Sequence, residues 1–239
     1  MAKRKPPPVG RCVHCLVDNV PRNWDHVFPR GWYPDSTPPN TSKWIVPTCV
    51  KCNSRLGAIE QKLLTALAIC IDPTTAGTVG ITQRVLRGLD VRHAKSERDA
   101  MFRLRNLRQV VAGLLYGETL PDNGFYPGLG ERWGRSKEQV IGVKIPAAYF
   151  KALSEKIARG IAYIEDGRYI EASHQITFYA WDESANASLL NNLFKDAVEY
   201  VSGPGISVRR IDTVDDASTA FAINVWQTFK MFVTVRPVK

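Results

Sequence analysis

Four cysteines stand in two pairs, Cys12-Val13-His14-Cys15 and Cys49-Val50-Lys51-Cys52, with 33 residues between the pairs. Two thiols at this spacing form a knuckle that presents both sulfurs to one ion. Two knuckles together make the closed four-ligand site of a structural Zn2+, on Cys12, Cys15, Cys49 and Cys52. Asp25 and His26 lie between the pairs, and Asn53 directly follows Cys52. These three types carry chemistry of another kind. A neutral imidazole, with an ordinary pKa of about 6.5, takes a proton from water, so His26 is the candidate general base. A carboxylate and an amide oxygen, on Asp25 and Asn53, suit a hard divalent ion such as Mg2+ or Mn2+. His14, inside the first knuckle, reads as a spacer, because four thiolates compete better for the ion. Cys70 ends an apolar run from Leu63 and reads as a small buried hydrophobe.

The elements that must hold these residues follow from turn chemistry and periodicity. Two strands are expected, through His26–Phe28 and Lys43–Pro47, joined by a proline-rich loop from Arg30 to Ser42. A helix is expected to start at Ser54, a good N-cap, and to run toward Ile71. On a strand, side chains alternate, so Asp25 and His26 point to opposite sides.

The segment from Cys12 to about Lys62 resembles the HNH (ββα-metal) endonuclease module of the zinc-stapled kind. The residues that carry the resemblance are Asp25-His26-Val27-Phe28-Pro29, then Trp44-Ile45-Val46-Pro47, then Cys49 to Asn53 with Ser54-Arg55-Leu56-Gly57 after it. The resemblance implies metal-dependent hydrolysis of DNA phosphodiester bonds, with a divalent ion at the strand edge held by Asp25 and Asn53, apart from the zinc. By analogy of fold, genome defence or mobile-element biology would suit such an enzyme. The family usually carries an asparagine nine residues before its last ligand, bracing the loop of the base. Trp44 stands at that position here, and Asn40, four residues earlier, is the candidate replacement. Loss of the brace implies a slower nuclease, a rearranged loop or a module that binds without cutting. The alternative reading is therefore a zinc-stapled nucleic-acid-binding module with a degenerate site.

Charge supports a polyanionic partner. The chain of 239 residues carries a net charge of +9, and 44% of it is hydrophobic, enough for a sizeable core. Residues 1–108 hold 18 Lys and Arg against 8 Asp and Glu; residues 109–239 hold 14 against 15. A basic half beside a neutral half suggests a polyanion-binding part and a part with another task. Arg30, Lys51, Arg55 and Lys62 are the candidate phosphate contacts, with Arg55 placed near a helix N-terminus. The arginines between residues 84 and 108 extend the same charge.

The whole chain reads as α+β. Residues 1–10 form a basic tail without expected structure, 11–71 the zinc-stapled module and 83–117 a basic helical segment. Ser96 caps a helix expected to reach Tyr116, with Leu104, Leu107, Val111 and Leu114 on one face. Residues 118–138 read as loop. Residues 140–239 read as an accessory domain with a mostly antiparallel sheet. Its expected elements are a helix over Pro146–Ile164, a helix over Ala187–Val201, and strands over His174–Trp181, Ile206–Ile211, Ala220–Trp226 and Met231–Val235. That region is expected to serve dimerisation, partner binding or sensing, and its aromatic residues to fill a core. The longest apolar stretch is too short to span a bilayer, and a cytoplasmic location is expected.

Overall fold

The structure is a computed structural model that describes residues 5–116, 141–180, 192–213 and 218–238. The loop expected over 118–138, Trp181 and the start of the helix expected from Ala187 lie outside those residues. The chain opens with the first knuckle, where Leu16 (φ 64°) and Asn19 (φ 54°) turn the backbone and Gly10 bridges to Val20. Strand β1 (Arg22–His26) then pairs antiparallel with β2 (Ile45–Cys49), placing Asp25 opposite Val46 and His26 opposite Ile45.

Helix α1 (Val50–Leu67) follows β2 without a break. It begins four residues before the expected Ser54. Its N-cap is Cys49, whose sulfur accepts the Cys52 amide. The second knuckle is thus the first turn of the helix, and a sulfur takes the capping role expected of a serine hydroxyl. Helix α2 (Ile81–Leu89) and helix α3 (Glu97–Ala112) come next. Ser96 caps α3 as expected, accepting the Asp99 amide at 3.2 Å. The helix ends at Gly113 rather than Tyr116, because Leu114–Tyr116 form strand β3, paired with β4 (Ile141–Val143). Leu107 and Val111 are exposed, so the expected apolar face of α3 is not a core face among the described residues.

Helix α4 (Ala147–Asp166) starts after Pro146 and stops at Gly167 (φ 65°). It buries Phe150, Leu153, Ile157 and Ile161, a spacing of three to four residues that makes one apolar stripe. Strands β5 (His174–Ala180), β6 (Val198–Gly203), β7 (Ile206–Asp212), β8 (Thr219–Val225) and β9 (Phe229–Pro237) form one antiparallel sheet in the order β5-β9-β8-β7-β6. Strand β6 occupies the end of the expected Ala187–Val201 helix. Val198, Tyr200 and Val201 prefer extended backbone, and pairing with β7 supplies hydrogen bonds that a lone helix end would lack.

One continuous core runs from Val13 and Val27 through Leu63 and Ile157 to Phe221 and Val233. The proline-rich loop after β1 joins it. Trp32 is fully buried with its ring 5.2 Å from that of Trp226, and the Trp226 indole donates to the Trp32 carbonyl at 2.7 Å. Tyr33 meets Ser202 at 2.6 Å. No helix among the described residues is long and apolar enough to cross a membrane.

Candidate functional site

The four cysteines converge. Their sulfurs all lie within 4.8 Å of one another. A tetrahedral Zn2+ with bonds of about 2.3 Å sets its sulfurs about 3.8 Å apart. Cys15 and Cys49 stand at that separation, 3.8 Å. Backbone amides support the sulfurs: Cys49 N–H donates to Cys12 Sγ at 3.3 Å and Cys52 N–H to Cys49 Sγ at 3.4 Å. The donor set fits a zinc ion, and the cluster joins the first knuckle to the β2–α1 junction. Burial and the neighbouring Cys49 push the Cys52 thiol well above its ordinary value. Arg159 of α4 interacts electrostatically with Cys12 and Cys15. It is a counter-charge for a cluster that would carry a net −2 with four thiolates around Zn2+.

Asp25 and His26 leave β1 on different sides and meet different surroundings. Asp25 is buried, 5% exposed. Its Oδ1 accepts from Lys156 Nζ at 2.9 Å and its Oδ2 from His14 Nε2 at 3.2 Å. Lys156 also donates to Glu60 of α1. Burial opposes ionisation of Asp25, but the His14 hydrogen bond and the Lys156 charge outweigh it and hold the carboxyl below its usual range. An ionised carboxylate only accepts, so Nε2 is the protonated nitrogen of His14. His14 stands outside the four-cysteine cluster and tethers Asp25.

His26 is half-buried at the end of β1. Burial, then the charge of Arg30, lowers its pKa below the ordinary value, with Lys156 and Lys43 acting in the same direction and Asp25 against them. Its imidazole is neutral at pH 7. Val27 N–H, the next residue on, donates to the Trp44 carbonyl at 2.9 Å, and the Trp44 and Phe28 rings lie 6.1 Å apart. Trp44 thus holds the start of this loop by its main chain and its ring. Asn40 is exposed in the turn from Pro38 to Thr41.

Asn53 lies at the end of the first turn of α1 and donates from Nδ2 to Asn23 Oδ1 at 2.9 Å. The arrangement does not fit a divalent ion at Asp25 and Asn53. Both oxygens of Asp25 already accept hydrogen bonds, and the carboxylate is buried against the Lys156 ammonium. Asn53 is fixed through its NH2 group on Asn23, a contact that does not use its oxygen.

Arg30, Lys51, Arg55 and Lys62 are all exposed. Arg55 sits in the second turn of α1, since the helix begins at Val50, so no helix N-terminus adds to its charge. Helical periodicity places Lys51, Arg55 and Lys62 on one stripe, about 16 Å long at 1.5 Å per residue. Lys62 also donates to the Tyr149 hydroxyl at 3.2 Å.

Nothing in the cysteine and Asp-His motifs points to Lys156, Glu60 or Arg159. Two signals exist in hindsight. Lys156 stands on the stripe of Leu153, Ile157 and Gly160, where a cation needs a buried partner. Glu60 lies seven residues after Asn53, on the same face of α1.

The chain matches no protein-family model, no curated protein and no solved structure.

Proposed function

We propose that the chain is a zinc-stapled endonuclease of the HNH kind, hydrolysing DNA phosphodiester bonds with His26 as general base. The setting of His26 carries this reading. Its imidazole is neutral while Arg30 and Lys43 place positive charge beside it. Cations gather the phosphate and ease the charge that builds on it, and a neutral imidazole takes the proton from the attacking water. Zinc on Cys12, Cys15, Cys49 and Cys52 would be structural, holding β1 and the start of α1 in register. The stripe of Lys51, Arg55 and Lys62 would bind phosphates in a salt-sensitive, sequence-independent way. No step is assigned to Mg2+ or Mn2+ at Asp25. The neutral C-terminal half would serve assembly or partner binding, a homodimer being one form of it.

A second reading is favoured by one observation. Asp25 and Asn53 have structural uses, an ion pair with Lys156 and a hydrogen bond to Asn23. Their presence therefore does not by itself require catalysis, and a nucleic-acid-binding module that does not cut would keep both.

The test is incubation of the zinc-loaded full chain with supercoiled plasmid, without added metal and with Mg2+ or Mn2+, beside His26→Ala. The expected result is nicking or linearisation by the wild type that falls about 100-fold or more in the variant. An intact plasmid under all conditions, together with a salt-sensitive mobility shift, would establish the binding module instead.

A further inference from the structure

We propose that the Lys156 ammonium is the resident cation of the Asp25 site, so that the wild-type chain takes no divalent ion there. Four observations meet in this inference. Lys156 has no exposed surface, yet its Nζ contacts two carboxylates, Asp25 and Glu60. The Asp25 oxygen not used by Lys156 is closed by His14. The lysine comes from α4, the helix pinned in the core by Phe150, Leu153, Ile157 and Ile161. Helix α4 also approaches the end of β1 closely: a Cβ on Gly160, one turn after Lys156, would lie 2.6 Å from Val27 Cγ2. The helix is therefore held where its ammonium must sit between β1 and α1.

Charge and ligand count argue the same way. A buried carboxylate needs one good counter-charge, and a lysine at 2.9 Å supplies it. A divalent ion beside that ammonium would place like charges a few ångströms apart in a poorly solvated space. Mg2+ also demands about six oxygens at near-octahedral positions, and each Asp25 oxygen already accepts a hydrogen bond that such an ion would have to displace or share. Removing the ammonium reverses the balance. The buried carboxylate of Asp25 and the half-buried one of Glu60 would then lose their shared cation, and carboxylate oxygen is the donor type that Mg2+ and Mn2+ prefer. The bearing of this on cleavage rests on the nuclease reading above; the cation binding does not.

The test is Mn2+ binding to the zinc-loaded full chain, followed by electron paramagnetic resonance, for wild type, Asp25→Asn, Lys156→Ala and the double variant. Wild type is expected to bind no Mn2+ that Asp25→Asn removes. Lys156→Ala is expected to bind one equivalent, lost again in the double variant, and to regain several degrees of melting temperature when Mn2+ is added. Mn2+ bound by the wild type and lost in Asp25→Asn overturns the proposal, as does a folded Lys156→Ala that binds none. A second pair of variants covers a failure to fold. Lys156→Met alone should melt well below the wild type, and adding Asp25→Asn should recover most of that loss; no recovery overturns the proposal. None of these readings depends on DNA cleavage, so an inactive protein leaves the outcome intact.

Discussion

At the scale of single residues, Asp25 and His26 show how adjacent side chains on one strand acquire unrelated roles. Asp25 turns inward to Lys156 and His14, while His26 stays half-exposed beside Arg30. On the proposed nuclease reading, the pH dependence of cleavage belongs to His26. Its working form is the neutral imidazole, and its folded pKa lies below 6.5. Activity is lost as pH falls through that lowered value, so the inflection of the rate should lie below the ordinary imidazole value, with a plateau on its alkaline side. Single-turnover rates across pH 4.5–8 check this, and an inflection above 6.5 would remove His26 as the base. The thiols carry a second prediction. Burial holds the Cys52 proton tightly, so Zn2+ must displace it, and uptake should release protons and weaken as pH falls. Indicator dye in weak buffer reads the protons, and Cys52→Ser should lower the bound zinc measured by mass spectrometry.

At the scale of elements, α4 does most to shape the site. It reaches β1 because Gly160 has no side chain at the point of contact with Val27. Gly160→Ala pushes a methyl into the Val27 side chain, and such overpacking costs about 1–3 kcal/mol. Thermal or urea denaturation should show that loss, against any gain from alanine's better helix propensity. An unchanged midpoint would mean that α4 shifts freely away from β1. The short hairpin of β1 and β2 is the second such element. It cannot stand alone as two strands, and it is held by the cysteine cluster at one end and by the Trp44 carbonyl and ring at the other.

At the scale of the whole molecule, one core links the cysteine-bearing module to the C-terminal sheet. Trp226, directly after β8, seals the loop after β1, packing its tilted ring against Trp32 and donating to its carbonyl. Calorimetry of the zinc-loaded chain should therefore show one cooperative transition, and Trp226→Ala should lower the stability by about 3–5 kcal/mol, as a large core truncation does, and shift the midpoint down. Two separate transitions would show that the halves fold independently. Much of this molecule was legible before its contacts were known. The pairing of the four cysteines into two knuckles follows from spacing alone, because a knuckle is a local turn. The opposite orientation of Asp25 and His26 follows from strand alternation, and the cap at Ser96 from a hydroxyl one residue before a helical run. The start of α1 and the strand at Val198 were not legible, because a sulfur cap and a strand partner override local preference. The partner of Asp25 was least legible of all. Lys156 lies 131 residues away. A buried charge is satisfied by whatever helix packing brings beside it, and that is decided only when α4, α1 and β1 close on one core.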